Sequence, residues 1–152
     1  MAATSPKRRI LFVCIHNSAR SQMAEAFLRA YGGAWFEAES AGLEPGTLNP
    51  TVVEAMARAG IDISANRTQS VLDVYHSGKS FDAVITVCDK ASAERCPVFP
   101  GRTKKIAWSF RDPSSFQGSQ LDKLNQTTVV REEIREKVLD FIGEAKQDAY
   151  WK

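Results

Sequence analysis

Residues 10–24 read ILFVCIHNSARSQMA, and this stretch decides the fold. The continuous apolar run from Ile10 to Val13 is typical of a central parallel strand that is buried on both faces. From Ser18 onward the pattern becomes helical, and the pair Gly32-Gly33 is expected to end the helix. Its apolar stripe contains Met23, Phe27 and Tyr31. The segment therefore predicts a buried strand, a short loop that begins at Cys14, and a helix.

The rest of the chain alternates between strand and helix patterns. Further strands are predicted at residues 35–41, 81–87 and 104–108. Helices are predicted after Asn49-Pro50, around residues 71–75, and over residues 130–145. The first of these strands alternates apolar and polar residues, so we expect it nearer a sheet edge.

Alternating strands and helices predict one three-layer α/β domain over residues 1–152, with a four-stranded parallel sheet flanked by helices. Ligands of such folds bind beyond the carboxyl ends of the strands. Cys14, Cys88 and the loop after Trp108 are all expected at that end. This edge of the sheet is therefore the predicted functional site.

The composition is that of a globular protein, with 43% hydrophobic residues, 25% charged residues and a net charge of +2. Charges of both signs are dispersed, so we expect neither a nucleic acid nor a membrane as partner. No secretory signal is recognised around the basic segment Met1 to Arg9. Three cysteines argue against a structural disulfide framework. We therefore expect a cytoplasmic, monomeric protein with reduced thiols.

The loop of residues 14–21 has the pattern Cys-x5-Arg between a strand and a helix. A lone cysteine at a strand end is often only a small buried apolar residue. Here the N–H groups of the loop, together with the helix dipole, can hold an oxyanion and stabilise the thiolate of Cys14. The planar guanidinium group of Arg20 can donate hydrogen bonds to two oxygens of the anion. The predicted oxyanion-binding residues are Ile15, His16, Asn17, Ser18, Ala19, Arg20 and Ser21.

Individual side chains of this loop have separate expected roles. Asn17 and Ser21 are candidates to fix the loop and to hydrogen-bond the thiolate of Cys14. His16 could act as a base, but we favour a structural or solvent-facing role for it.

The segment from Cys14 to Glu25 resembles the start of the low-molecular-weight tyrosine phosphatase superfamily, and most closely its arsenate reductase branch. The likeness extends through Ser40-Ala41-Gly42, Asn49-Pro50, Val87-Cys88, Cys96-Pro97, Trp108-Ser109-Phe110 and Asp112-Pro113. It covers nearly the whole chain. The resemblance implies a low-molecular-weight phosphatase-like fold in which Asp112 protonates the leaving group.

In the arsenate reductases that this chain resembles, one cysteine attacks arsenate, a second attacks the thiol–arsenic adduct, and a third resolves the resulting disulfide. The resemblance implies these roles for Cys14, Cys88 and Cys96. It also implies an oxidoreductase of arsenic detoxification, with arsenate as substrate, phosphate or sulfate as mimics, and thioredoxin as electron donor. No cofactor is expected. Phosphatases of this family usually follow Asp-Pro with tyrosines, whereas this chain has Ser114-Ser115, which favours the reductase.

Alternatives to a reductase stay open. A low-molecular-weight protein tyrosine phosphatase would hydrolyse phosphoesters through Cys14, Arg20 and Asp112, and Cys88 and Cys96 would be ordinary thiols. A noncatalytic thiol sensor or oxyanion-binding module would bind anions without turnover. A zinc site is disfavoured because zinc takes about four ligands and the chain has few histidines, so we expect no required metal.

The spacing of Cys88 and Cys96 gives a further expectation. If residues 88–96 formed one helix, eight steps of ~1.5 Å would separate the two Cα atoms by about 12 Å, beyond the ~7 Å limit for a disulfide. The segment would then have to unwind. We therefore predict a mobile segment that loops out on oxidation, visible as a change in its hydrogen-exchange rates between reduced and oxidised protein.

Overall fold

The computed structural model describes residues 6–88 and 90–152, without the side chains of residues 90 and 91. Strands and helices alternate along the described chain. The strands are β1 (Arg8–Cys14), β2 (Phe36–Gly42), β3 (Ala83–Thr86) and β4 (Lys104–Ala107). The helices are α1 (Arg20–Gly32), α2 (Pro50–Arg58), α3 (Val71–His76), α4 (Lys90–Ala93) and α5 (Gln120–Ala145). Short 3₁₀ helices cover Pro113–Ser115 and Asp148–Trp151.

The strands form one parallel sheet in the order β2-β1-β3-β4. Residues Ile10 to Val13 of the central strand β1 are fully buried, because both faces of the sheet are covered. In the edge strand β2, Phe36 and Ala38 are buried while Glu37 is exposed. The predicted four-stranded parallel α/β sheet, its central strand and its edge strand are confirmed.

Two apolar cores lie on opposite faces of the sheet because successive side chains of a strand alternate. Ile10 and Phe12 face the larger core, which is built with α1, α2 and α5. Leu11 and Val13 face a smaller core, which includes residues of α3 and the buried ring of Phe99. The sheet is therefore the middle of three layers, as predicted.

Helix boundaries differ from the predictions where loop or cap residues look helical in sequence. Helix α1 begins at Arg20 rather than Ser18, because Ala19 has φ −144° and ψ −87° and belongs to the loop. Its Tyr31 is 41% exposed rather than buried, and the ring stacks on Phe27. The predicted cap of α2 is confirmed, since Asn49 Oδ1 accepts a bond of 2.9 Å from the N–H of Thr51.

Helix α5 begins ten residues before the predicted position, at Gln120 rather than Val130. Its start is set by a capping box in which Ser119 and Asp122 exchange two hydrogen bonds of 3.1 Å. The buried series that predicted the helix packs on the larger core, as expected: Val130, Ile134, Val138, Phe141 and Ala145.

The segment between Cys88 and Cys96 is only partly helical. Helix α4 spans four residues, and the N–H of Cys96 then closes a turn on the carbonyl of Ala93 at 3.1 Å. A single helix over residues 88–96, from which we calculated the 12 Å separation, does not form. Residue 89 and residues 1–5 lie outside the described chain, and the looping-out of this segment stays a prediction. Along the described residues, no helix combines the length and apolarity that crossing a bilayer requires.

Candidate active site

The loop between β1 and α1 turns its carbonyl groups outward. The carbonyl oxygens of Cys14, Ile15, His16 and Ser18 accept hydrogen bonds of 2.7 to 3.0 Å from the N–H groups of Leu43, Glu44, Gly46 and Asn49. In a trans peptide, the C=O and the following N–H point in opposite directions. The N–H groups of residues 15, 16, 17 and 19 therefore point to the concave side of the loop.

The first turn of α1 adds further donors to this concave side. Ala19 occupies the N-cap position and provides no side-chain cap. The first N–H groups of the helix therefore stay available, and they carry the positive end of the helix dipole. Loop and helix together form a cradle of N–H groups suited to a tetrahedral oxyanion.

Strand β2 can approach this cradle because residue 42 is glycine. A Cβ on Gly42 would lie 2.7 Å from the backbone N of Asn17 and 2.8 Å from the carbonyl carbon of His16. Any other residue would therefore displace the loop. Asn17 itself has φ +54°, a left-handed conformation that asparagine adopts more readily than most residues.

The sulfur of Cys14 lies at the base of the cradle, and the residue as a whole is 2% exposed. The N–H of Asn17 donates to it at 3.1 Å, and the hydroxyl of Ser21 lies 2.8 Å away. The side-chain amide of Asn17 donates to the same hydroxyl at 2.8 Å. An N–H donor and a hydroxyl group therefore lie within hydrogen-bond distance of the sulfur.

A hydrogen-bond network holds the side chain of Asn17, and three of its members were missed by the sequence analysis. Asn17 Oδ1 accepts from the backbone N–H of Gln69 at 3.0 Å and from Gln22 Nε2 at 3.3 Å. Gln22 is 1% exposed, and its Oε1 accepts from Asn66 Nδ2 at 3.1 Å. In the sequence, this network is indicated only by Gln22, a polar residue next to the apolar stripe of α1.

Arg20 and Asp112 form the opposite wall of the site. Arg20 is 6% exposed; its Nη1 donates to the carbonyl of Phe110 at 3.2 Å, and its Nη2 lies 3.6 Å from Asp112 Oδ2. The Nε of Arg20 is buried with no partner among the described residues. A buried donor without an acceptor is costly, so an oxyanion that accepts from Nε stabilises this arrangement. The other carboxylate oxygen of Asp112 accepts from the N–H of Ser114 at 2.9 Å.

His16 lies on the outer rim of the cradle and does not contact the sulfur. Its ring is exposed, and Nδ1 lies 2.8 Å from the carbonyl oxygen of Glu44. A carbonyl only accepts hydrogen bonds, so Nδ1 carries the hydrogen. Ile15, Ser18 and Ala19 contribute backbone N–H groups or carbonyls to the loop, and the side chain of Ile15 packs on the larger core.

Cys88 follows the end of the strand next to β1. Val13 pairs with Thr86, and the N–H of Val87 donates to the Val13 carbonyl at 2.9 Å. Neighbouring strands lie about 4.8 Å apart. Cys88 therefore lies near Cys14, at the carboxyl end of the adjacent strand. Both cysteines are buried in the larger core. The structure therefore brings the first two predicted thiols to the same edge of the sheet.

Cys96 lies on the other face of the sheet, where it is half-buried against the smaller core. Burial raises the pKa of its thiol to about 11, the ammonium of Lys105 opposes this rise, and Cys88 adds to it. All three cysteines are thiols.

Comparison with known proteins agrees with this architecture. Residues 9–148 match the family model of the low molecular weight phosphotyrosine protein phosphatases. An arsenate reductase of Bacillus licheniformis is 40% identical over 137 residues, which cover 89% of this chain and 95% of that protein.

Two solved structures extend the comparison. The arsenate reductase of Archaeoglobus fulgidus is 34% identical with a TM-score of 0.71, and the match covers 89% of this chain and 99% of that one. A thioredoxin-dependent arsenate reductase of Corynebacterium glutamicum is 27% identical with a TM-score of 0.67, over 91% of this chain and 61% of that one. The chain therefore belongs to the low molecular weight phosphotyrosine protein phosphatase family.

Proposed function

We propose that this chain is an arsenate reductase that uses Cys14, Cys88 and Cys96 in sequence and is regenerated by thioredoxin. The observation that carries the proposal is a thiol at the base of an oxyanion cradle with a second thiol at the end of the neighbouring strand. Hydrolysis of an ester needs one such thiol, whereas reduction must supply two electrons. Relatives named arsenate reductase, one of them thioredoxin-dependent, support the same choice.

In the first step, arsenate binds to the N–H groups of the cradle and to Arg20. The thiolate of Cys14 attacks arsenic, while Asp112 donates a proton to the departing oxygen, which leaves as water. The contact of 3.6 Å between Asp112 and Arg20 supports this role, because it holds the carboxyl group beside the bound anion. The product of this step is a Cys14–arsenic(V) adduct.

In the second step, the thiolate of Cys88 attacks the sulfur of Cys14. A disulfide forms between the two cysteines, and the sulfur–arsenic bond breaks with its electron pair remaining on arsenic. Arsenic is thereby reduced from the pentavalent to the trivalent state, and arsenite leaves after protonation. The common burial of both thiols at one edge of the sheet supports this order.

In the third step, the thiolate of Cys96 attacks Cys88, and Cys14 leaves as a thiolate. The resulting Cys88–Cys96 disulfide is then reduced by the dithiol of thioredoxin. Cys96 suits this last position because it is half-buried while the other two thiols are buried. The proposal includes a reducing cytoplasm as the place of action, since thioredoxin keeps thiols reduced there.

The test is a coupled assay in which reduced protein, thioredoxin, thioredoxin reductase and NADPH receive arsenate. We expect arsenate-dependent NADPH oxidation by the wild-type chain and none by Cys14→Ser, Cys88→Ser or Cys96→Ser. Replacing thioredoxin by glutaredoxin and glutathione tests the identity of the donor. Absence of NADPH oxidation with every donor would reject the proposal.

Disulfide mapping tests the order of the steps, because trypsin places the three cysteines on separate peptides, 10–20, 80–90 and 96–102. After one turnover without a donor, wild-type protein should give peptide 80–90 linked to peptide 96–102. Cys96→Ser should instead accumulate peptide 10–20 linked to peptide 80–90. Any other pairing in wild-type protein contradicts the relay.

Phosphoester hydrolysis is the second candidate, and the position of the Asp112 carboxyl group 3.6 Å from Arg20 supports it, since a leaving group needs a proton donor beside the bound anion. A hydrolase would form a Cys14 phosphocysteine and would need neither Cys88 nor Cys96. Turnover of an aryl phosphate that survives Cys88→Ser and Cys96→Ser, combined with no reduction of arsenate, would favour it.

A further inference from the structure

A cavity of about 410 Å³ opens beside Cys96, on the face of the sheet that carries the smaller core. Its wall is largely apolar, with Val84 from β3 and Val98 from the segment after Cys96. The titratable groups that line it are Cys96, Glu94 and Lys105. The cavity therefore places one thiol, one carboxylate and one ammonium group around a common apolar space.

Strand register explains why Lys105 faces this cavity while its neighbour does not. Lys105 pairs with Val84, which belongs to the smaller core, whereas Lys104 pairs with Ala83, which belongs to the larger core. Paired residues of parallel strands point to the same face. Accordingly, Nζ of Lys104 lies 4.8 Å from the ring centroid of Tyr150, away from Cys96. The two lysines are thus adjacent in sequence but lie on opposite faces of the sheet.

The charges that surround Cys96 act in opposite directions. Burial in the apolar wall disfavours its thiolate most strongly, the ammonium of Lys105 favours it, and Cys88 at the end of β3 disfavours it. Glu94 is exposed at the rim, and Arg95 is engaged with Glu44 at 2.9 Å. Among the described residues that line the cavity, Lys105 is the only cation.

We propose that Lys105 is a positioning residue that stabilises the thiolate of Cys96 and so controls how fast the Cys14–Cys88 disulfide is resolved. The proposal rests on the proposed function for its place in the reaction. Cys96 releases its proton to solvent, and its thiolate forms a bond to the sulfur of Cys88. The Cys14–Cys88 bond breaks, and its electron pair leaves with Cys14. No electrons enter or leave the protein in this exchange.

The first test measures the alkylation rate of each cysteine by iodoacetamide in the full-length reduced chain, at about pH 8, where thiolate limits the rate. The separate tryptic peptides report the three thiols independently. Lys105→Gln should slow the labelling of Cys96 about threefold to tenfold, because a nearby charge changes the thiolate fraction by that order. Lys105→Arg should keep the wild-type rate, since it retains the charge.

Lys104→Gln is the matched control, because it removes the same charge from the next residue of the same strand. It should leave the labelling of Cys96 unchanged. The labelling of Cys14 should be unchanged in every variant, which separates an electrostatic effect at the cavity from a general loosening of the fold. Equal labelling of Cys96 in wild-type protein and Lys105→Gln, or an equal loss in Lys104→Gln, would overturn the proposal.

The second test follows disulfides after addition of arsenate without a donor. Lys105→Gln should accumulate the Cys14–Cys88 disulfide at times when wild-type protein has already formed the Cys88–Cys96 disulfide. Faster or equal resolution in Lys105→Gln would contradict the role of Lys105. If wild-type protein forms no disulfide with arsenate, the proposed function fails, whereas the alkylation rates still decide whether Lys105 stabilises the thiolate of Cys96.

Discussion

The sulfur of Cys14 is stabilised by a short chain of hydrogen bonds that begins at the side chain of Asn17 and passes through the hydroxyl of Ser21. The backbone of Asn17 adds a separate N–H donor. Asn17 thus contacts the sulfur through its backbone and the neighbouring hydroxyl through its side chain. Polar side chains as well as the helix terminus therefore lie close to the sulfur of Cys14.

Ser21→Ala should reduce arsenate-dependent NADPH oxidation about tenfold to hundredfold, since a hydrogen bond to a charged group contributes ~1.5–3 kcal/mol. The variant also leaves the side-chain amide of Asn17 without its acceptor. Ser64→Ala, in an exposed turn, is the control and should keep full activity. Unchanged turnover in Ser21→Ala would show that this hydroxyl does not support the thiolate.

At the scale of elements, the end of β2 and the loop after β1 touch at Gly42, where backbone meets backbone. Gly143 in α5 is the opposite case, since a Cβ there would meet no atom within 4 Å. The same substitution is therefore expected to have opposite effects at these two positions.

Gly42→Ala should lower the thermal midpoint by roughly 3–10 °C, because overpacking costs about 1–3 kcal/mol, and should remove most activity by displacing the cradle. Gly143→Ala should raise the midpoint by roughly 1–4 °C through helix propensity and leave activity intact. Differential scanning calorimetry measures the thermal midpoint of each variant, and the coupled assay measures its activity. A stable, active Gly42→Ala protein would refute the close contact.

The long helix α5 depends on the capping box at its start. Ser119→Ala removes the acceptor for the N–H of Asp122, so the free energy of unfolding should fall by about 0.5–2 kcal/mol. Urea titration should show a lower midpoint with an unchanged slope. Ser119→Thr, which retains a capping hydroxyl, should lose less stability than Ser119→Ala, and an equal loss in both would argue against the cap.

At the scale of the whole molecule, the half-buried thiol of Cys96 links stability to pH. The pKa of Cys96 is raised to about 11 in the fold, mainly by burial, against about 8.5 in an unfolded chain. The folded state therefore keeps a proton that the unfolded state releases between these values. By linkage, stability is full below about pH 8.5 and falls as the pH rises towards 11.

Cys96→Ala removes this titration. When the pH is raised from about 8 to about 10.5, the free energy of unfolding should fall by about 1–2 kcal/mol more in wild-type protein than in the variant. This figure includes a reduction for the partial exposure of the thiol. Urea unfolding under reducing conditions at both pH values measures the difference. The comparison cancels contributions from lysine and tyrosine residues, which both proteins share. Identical pH dependence in the two proteins would disprove the linkage.

The sequence by itself determined the features whose signals are local. The continuous apolar run predicted the central strand, and Asn49-Pro50 predicted the start of α2. Both predictions succeed because strand burial and helix capping depend on neighbouring residues. The Cys-x5-Arg pattern located the loop between β1 and α1 for the same reason, and its binding of an oxyanion stays a prediction. Local signals failed at helix boundaries, where Ser18 looked helical and the polar first turns of α5 hid its true start.

Only the tertiary structure decided which distant residues meet. The close approach of Gly42 to Asn17 and the contact of Asp112 with Arg20 join residues far apart in sequence, and the cavity brings Cys96 together with Lys105 of the edge strand. Each contact depends on the strand order β2-β1-β3-β4 and its register, since a shift of one residue turns every side chain of a strand to the other face. Strand order and register result from packing of the entire sheet, which no short segment encodes.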